Sequence, residues 1–233
     1  MTAGISDRAA ALLALPPAPL ASSNPTMAPA ALAAVLDALD RGETHYTDRP
    51  GILPMREKVA EILNRRFALG CGAGHVVLTC GATEARFVSV QQLLKPGDKL
   101  AAPSCVDRIE GAAIVRGARI SEDISATKLV YVPASAGPQA ITDWLKVAPE
   151  SCFVLYEIDV PLVSFHPHSI EGFGDRVVTI GEIGLEHGLV GARLGYLAAP
   201  AGSSAGLRDF KQALTICSTN LSQWAALAVV EDL

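Results

Sequence analysis

Long apolar runs, aromatic residues and charge of one sign are all scarce in this chain. No stretch approaches the roughly 18 consecutive apolar residues of a membrane helix, so no membrane span is expected. Lys and Arg number 19 against 24 Asp and Glu, for a net charge of -5. They stand singly, without a basic run or stripe, and nucleic acid is not an expected partner. The five cysteines are odd in number, far apart and free of CxxC pairs, which excludes a disulfide framework and the common zinc patterns and fits a reducing, cytoplasmic setting. The run Ala9 to Leu15 is short for a signal-peptide core and follows the cancelling pair Asp7 and Arg8.

What is present is 233 residues, half of them hydrophobic, enough for one domain with a large core. The mean hydropathy of +0.32 leaves an excess of apolar surface for a buried sheet and a subunit interface. Disordered and collagen-like classes are excluded by the same composition. Residues 1–27, rich in Ala, Pro and Ser, read as an extended N-terminal arm, and residues 28–233 as the folded domain. From Ala28 the spacing of Leu32, Val35, Leu36 and Leu39 predicts an amphipathic helix stopped at Gly42. A second helix follows, with Pro54 in its first turn, Met55, Val59, Ile62 and Leu63 on its apolar face, and Arg56, Glu57, Glu61 and Arg65 left for solvent.

After Gly70 the chain changes to short apolar runs, at His75 to Thr79, Leu100 to Ala102, Leu129 to Val132, Phe153 to Tyr156, Val177 to Ile180 and Leu194 to Ala198. Runs of this kind are buried strands. Helical stretches at Thr83 to Leu94, Arg108 to Val115 and Ala140 to Lys146 alternate with them. The expected architecture is an α/β fold, a three-layer α/β/α sandwich with a mainly parallel sheet.

The strongest local signal is Leu78-Thr79-Cys80-Gly81-Ala82-Thr83-Glu84-Ala85, a strand that turns at Gly81 into a helix. Small residues there let an anion approach the N–H groups of a helix N-terminus. A tight turn with Thr83 as a cap reads the same residues without a ligand.

This turn is one of several segments, in order, that resemble the fold-type I pyridoxal-phosphate aminotransferases of the aspartate aminotransferase-like class I/II. His45-Tyr46-Thr47 through Gly51 to Met55-Arg56, the turn at Thr79 to Ala85, Leu94-Lys95-Pro96-Gly97-Asp98, and Gly188-Leu189-Val190-Gly191-Ala192-Arg193-Leu194-Gly195-Tyr196 each match a segment of that family. The resemblance implies a large domain of that fold with pyridoxal phosphate as the family's cofactor. Gly81, Ala82, Thr83, Arg193, Tyr46 and Tyr156 then stand at its cofactor-binding positions. For Arg193 a structural ion pair is the equal alternative, and for Tyr46 an interface aromatic.

The departures from the family are as marked as the matches. The resemblance sets Leu185 at the position of the Schiff-base lysine, so the nucleophilic amine is absent. Glu182 takes the place of a hydroxyl residue that helps hold the cofactor phosphate, where a carboxylate would repel it and pair with Arg193. In Tyr156-Glu157-Ile158-Asp159 the outer members of the family's Asp-Glu-x-Tyr word are exchanged, leaving Tyr156 where an aspartate supports the ring nitrogen. Gly137 stands in place of an asparagine, and Cys105 in place of a stacking aromatic. Ser218 to Leu233 resembles the helix after the last large-domain strand, so the family's C-terminal small domain is expected to be missing.

The other lysines read as solvated by default, with Lys211 the first of them to consider as a substitute for the missing one. Glu182, Glu186 and His187 show no recognised ligand spacing, and no metal site is expected. His166-Pro167-His168 reads as a polar surface loop. The sequence therefore leaves three readings. One is a transamination-deficient pseudoenzyme of the aminotransferase fold that binds no cofactor, or binds one noncovalently, and holds at most an anionic or phosphorylated small molecule. A second is an enzyme with lysine-independent chemistry using Asp159, Glu182 or His187, or with residual transaminase activity. A third is a non-catalytic subunit of an intact aminotransferase homologue. A homodimer is the expected assembly.

Overall fold

The computed structural model describes residues 5–15 and 26–233. Seven strands among the described residues contribute to a mainly parallel α/β sheet, the class that the alternation of short apolar runs and helices implies. The described residues gather into two compact units, one of residues 86–178 with the N-terminal helix, the other of residues 26–85 and 179–233.

In the first unit β2 (Lys99–Ala101), β3 (Arg119–Ile120), β4 (Leu129–Pro133) and β5 (Phe153–Ile158) run parallel in the order β5-β4-β2-β3. Helix α5 (Val106–Arg116) connects β2 to β3 and α6 (Pro138–Lys146) connects β4 to β5. Every residue of β4 is buried, as expected of a parallel strand covered on both faces. Helix α5 closes at Gly117, whose φ of 73° is the left-handed conformation of a helix C-cap.

Helix α1 (Ile5–Leu13) falls within the segment that the sequence presents as an extended arm. Ala and Leu favour helix locally, and Arg8 donates to the Val115 carbonyl at 3.1 Å, fixing this helix beside α5. Residues 16–25 of the expected arm lie outside the described residues.

The second unit holds α2 (Pro29–Asp40), α3 (Leu53–Phe67), β1 (Val76–Thr79), the first turn of α4 (Gly81–Leu93), the end of β6 (Val177–Glu182), β7 (Gly195–Ala198), α7 (Ala201–Thr215) and α8 (Asn220–Leu227). Strand β7 runs antiparallel to β1 and to β6, with Gly195 opposite both Thr79 and Glu182. That register brings the ends of β1 and β6 to the same edge. A Cβ on Gly195 would stand 2.6 Å from the Gly81 carbonyl carbon and 2.7 Å from the Gly181 oxygen. Only glycine fits between these two backbones.

Two expectations about helix faces fail. On α2 the buried residues are Ala31 and Ala38, whereas Leu32, Leu36 and Leu39 are exposed. Helix α2 packs against α8, and Ala31 and Ala38 are the residues it buries. On α3 Arg56 is buried, because its guanidinium donates to the carbonyls of Gly51 at 2.9 Å and Ala73 at 2.8 Å. A buried cation persists where its donors are used this way.

Candidate functional site

The turn between β1 and α4 depends on Gly81, whose φ of +72° lets the chain leave the strand and enter the helix directly. Glu84, one helical turn on, accepts the Cys80 N–H at 2.6 Å and the Thr215 hydroxyl at 2.7 Å. The N-terminus of α4 receives a second carboxylate from β6, since Glu182 Oε1 accepts the Ala82 N–H at 2.9 Å. The same oxygen lies 3.6 Å from Nη1 of Arg193. A Cβ on Gly81 would stand 2.7 Å from both the Arg193 Nη2 and Glu182 Oε1, so both side chains rest against this glycine. Arg193 reaches the turn from a left-handed backbone (φ 49°) that ends the Val190–Ala192 turn.

The structure thus brings together Gly81, Ala82, Glu182 and Arg193. Thr83 is exposed inside the first turn of α4, so the capping role open to it in the sequence is not its position. Tyr46 is 75% exposed. Leu185 is half-exposed on the short turn Leu185–His187, between Gly184 and Gly188 in left-handed conformations. The His187 Nε2 lies 3.2 Å from Glu186 Oε1, and the His187 carbonyl accepts the Ala28 N–H at 2.9 Å. No group of three metal-type ligands exists among the described residues.

Tyr156 and Asp159 lie at the end of β5 in the first unit. Tyr156 donates to the Phe165 carbonyl at 2.9 Å, and its ring meets His166 edge-on with centroids 4.9 Å apart. His166 is buried, contrary to a surface loop, and burial, helped by neighbouring His168, pushes its imidazole pKa down to about 3. Asp159 accepts the backbone N–H and hydroxyl of Ser135 at 2.9 and 2.6 Å and a guanidinium N–H of Arg108 at 2.8 Å. Burial pulls this carboxyl up, but those hydrogen bonds outweigh it and hold the group below the usual carboxylate range. Asp159 therefore ties α5 and the Ala134–Ala136 turn to the end of β5.

No family model matches the chain. Among curated proteins it is 29% identical over 232 residues to the arginine–pyruvate transaminase of Pseudomonas aeruginosa, covering 85% of this chain and 59% of that protein. It is 25% identical to a probable aspartate aminotransferase of Methanocaldococcus jannaschii, covering 83% of this chain and 60% of that one. An aromatic aminotransferase of Pyrococcus horikoshii shares its fold with a TM-score of 0.77 at 20% identity, covering 96% of this chain and 70% of that one. The chain is related to the aspartate aminotransferase-like, fold-type I aminotransferases. It spans about 60% of the length of the curated relatives it matches.

Two features of this aminotransferase-like large domain escaped the sequence. Lys211 on α7 is fully buried, and its Nζ has no hydrogen-bond partner among the described residues. Burial pulls its pKa down, with Glu84, Cys217 and Cys80 acting weakly against that. The second is a buried polar knot in the first unit. Arg86 Nη1 donates to both oxygens of Glu157 at 2.7 Å, Tyr131 donates to the same carboxylate at 2.5 Å, and Arg108 lies 3.9 Å away. One signal was available: Tyr131 and Glu157 are the polar members of the apolar strands β4 and β5.

Proposed function

We propose that the protein keeps the aminotransferase large-domain fold without running lysine-dependent transamination. The observation that carries this reading is the residue at the Schiff-base position. Leu185, which we read at that position from the resemblance of the segments on either side, offers no amine to attach pyridoxal phosphate or to carry a substrate proton. Pyridoxal phosphate supplies an electron sink to the family's reaction when bound, and the residues present here do not fit it. Glu182 already holds an N–H of the phosphate turn, and Tyr156 is engaged with Phe165 and His166.

The acid/base candidates support the same reading, because each is held by its own partners. Asp159 is ionised and bound by Arg108 and Ser135, Glu182 by Ala82 and Arg193, and His187 by Glu186. Groups held this way are oriented by the fold, in contrast to a base whose lone pair is directed at substrate. Assay of the purified protein with a panel of amino donors and 2-oxo acids tests the proposal. No turnover above buffer is expected, and turnover abolished by removing pyridoxal phosphate would refute it.

A second reading, a non-catalytic subunit, is favoured by the exposed Leu32, Leu36 and Leu39 on α2 together with Tyr46 and Leu53. Apolar surface of this kind marks association sites, and a second copy or an intact aminotransferase homologue would cover it. Light scattering of the purified chain, alone and mixed with a homologue, tests this; a strict monomer in both cases would refute it. No helix among the described residues is long and apolar enough to cross a membrane. The cysteines of this chain are free thiols, which supports a reducing, cytoplasmic setting.

A further inference from the structure

We infer that Glu182 is a built-in anion that fills the phosphate seat at the N-terminus of α4 and closes this protein to phosphorylated small molecules. The inference rests on the reading above, in which the turn at Gly81 corresponds to the family's phosphate turn. It goes further by naming the group that excludes the ligand.

Register and turn geometry place the carboxylate. Gly195 opposite both Thr79 and Glu182 sets the last residue of β6 beside the turn that leaves β1. Gly81, lacking a Cβ atom, leaves the space that the side chains of Glu182 and Arg193 enter, and Gly195 lets the backbones of Gly81 and Gly181 come close. One oxygen of Glu182 then takes the Ala82 N–H at 2.9 Å and stands 3.6 Å from the Arg193 guanidinium. An N–H of the first helical turn and an arginine are the donors that a phosphate monoester would use.

Charge decides the competition. A phosphate monoester carries about -1.5 to -2 charges near neutral pH, and entering this seat would place it against an ionised carboxylate. Glu182 also neutralises the partial positive charge of the helix end. The pair with Arg193 is part-exposed and weak as an isolated ion pair. Its advantage is the tether, since an attached carboxylate competes as if at a high local concentration that free ligand must exceed. Replacing it with a small hydroxyl residue leaves the Gly81 turn, the Ala82 N–H and Arg193 in place with the seat open.

Calorimetric titration with inorganic phosphate tests this on the wild-type chain, E182S, E182Q and the double variant E182S/R193M, with circular dichroism to confirm folding. The expected result is no saturable binding by wild type at millimolar phosphate. E182S should bind at least about tenfold more tightly, and E182S/R193M should lose most of that gain. If E182S fails to fold, E182Q removes the charge while keeping the shape and should still bind more tightly than wild type. Wild type binding as tightly as folded E182S or E182Q would overturn the inference, as would a folded variant with no gain. Inorganic phosphate has no carbonyl, so the outcome is independent of any lysine attachment and separates this inference from the proposal about Leu185.

Discussion

Replacing Lys211 by methionine should stabilise the protein. The side chain is fully buried on α7, and its Nζ finds no hydrogen bond among the described residues. The two oxygens of nearby Glu84 are taken by the Cys80 N–H and the Thr215 hydroxyl. Methionine matches the length of the aliphatic stem and needs no partner, so the packing is retained while the desolvation cost of the amine is removed. An unsatisfied buried polar group costs about 1–3 kcal/mol, and that is the expected gain.

The effect also has a defined pH dependence. Burial lowers the folded-state pKa of Lys211 below its unfolded value. Between the two values the unfolded chain binds more protons, so wild-type stability rises with pH across that window. The ionisation part of the penalty is largest below the folded pKa and gone above the unfolded pKa of about 10.4, leaving only the cost of the unpartnered neutral amine. K211M should therefore gain most near neutral pH, and its advantage should shrink in alkali. Urea unfolding followed by circular dichroism at neutral and alkaline pH measures both, and thermal scans should show a shift of about 2–4 °C per kcal/mol for a chain of this size. A less stable K211M at neutral pH, or an advantage that does not change with pH, would refute the reasoning.

Two further perturbations probe the fold, one in each unit. R86M leaves Glu157 buried with only Tyr131 and a distant Arg108, and losing one partner of a buried ion pair costs about 3–5 kcal/mol. R86M/E157Q should recover part of that in the same urea assay; equal loss in both variants would show that the pair is not the source. G195A places a methyl group 2.6 Å from the Gly81 backbone and 2.7 Å from the Gly181 oxygen. It should separate β1 from β7 and lower the melting temperature, whereas an unchanged melting temperature would mean that these backbones move apart at little cost.

The parts that were legible in the sequence are those encoded by neighbours along the chain. Short apolar runs between helices specify buried parallel strands, and β4 and β5 extend the predicted runs by one or two residues. The pairing of Glu182 with Arg193 followed from residue type at these two positions. What was hidden depends on which surfaces meet. The 3.6-residue period on α2 picked out the leucines, yet the residues this helix buries are Ala31 and Ala38. Lys211 is an ordinary lysine on an amphipathic helix until the surrounding elements close over it. Arg86, Tyr131 and Glu157 come from three separate elements, and no local pattern links them.

Intact mass after incubation with pyridoxal phosphate and reduction with borohydride would show whether any lysine of this chain attaches the cofactor in place of the one proposed to be replaced by Leu185. An unchanged mass and no new visible absorbance band are expected. A mass increase locked in by borohydride and mapped to a single lysine, Lys211 above all, would contradict the proposal.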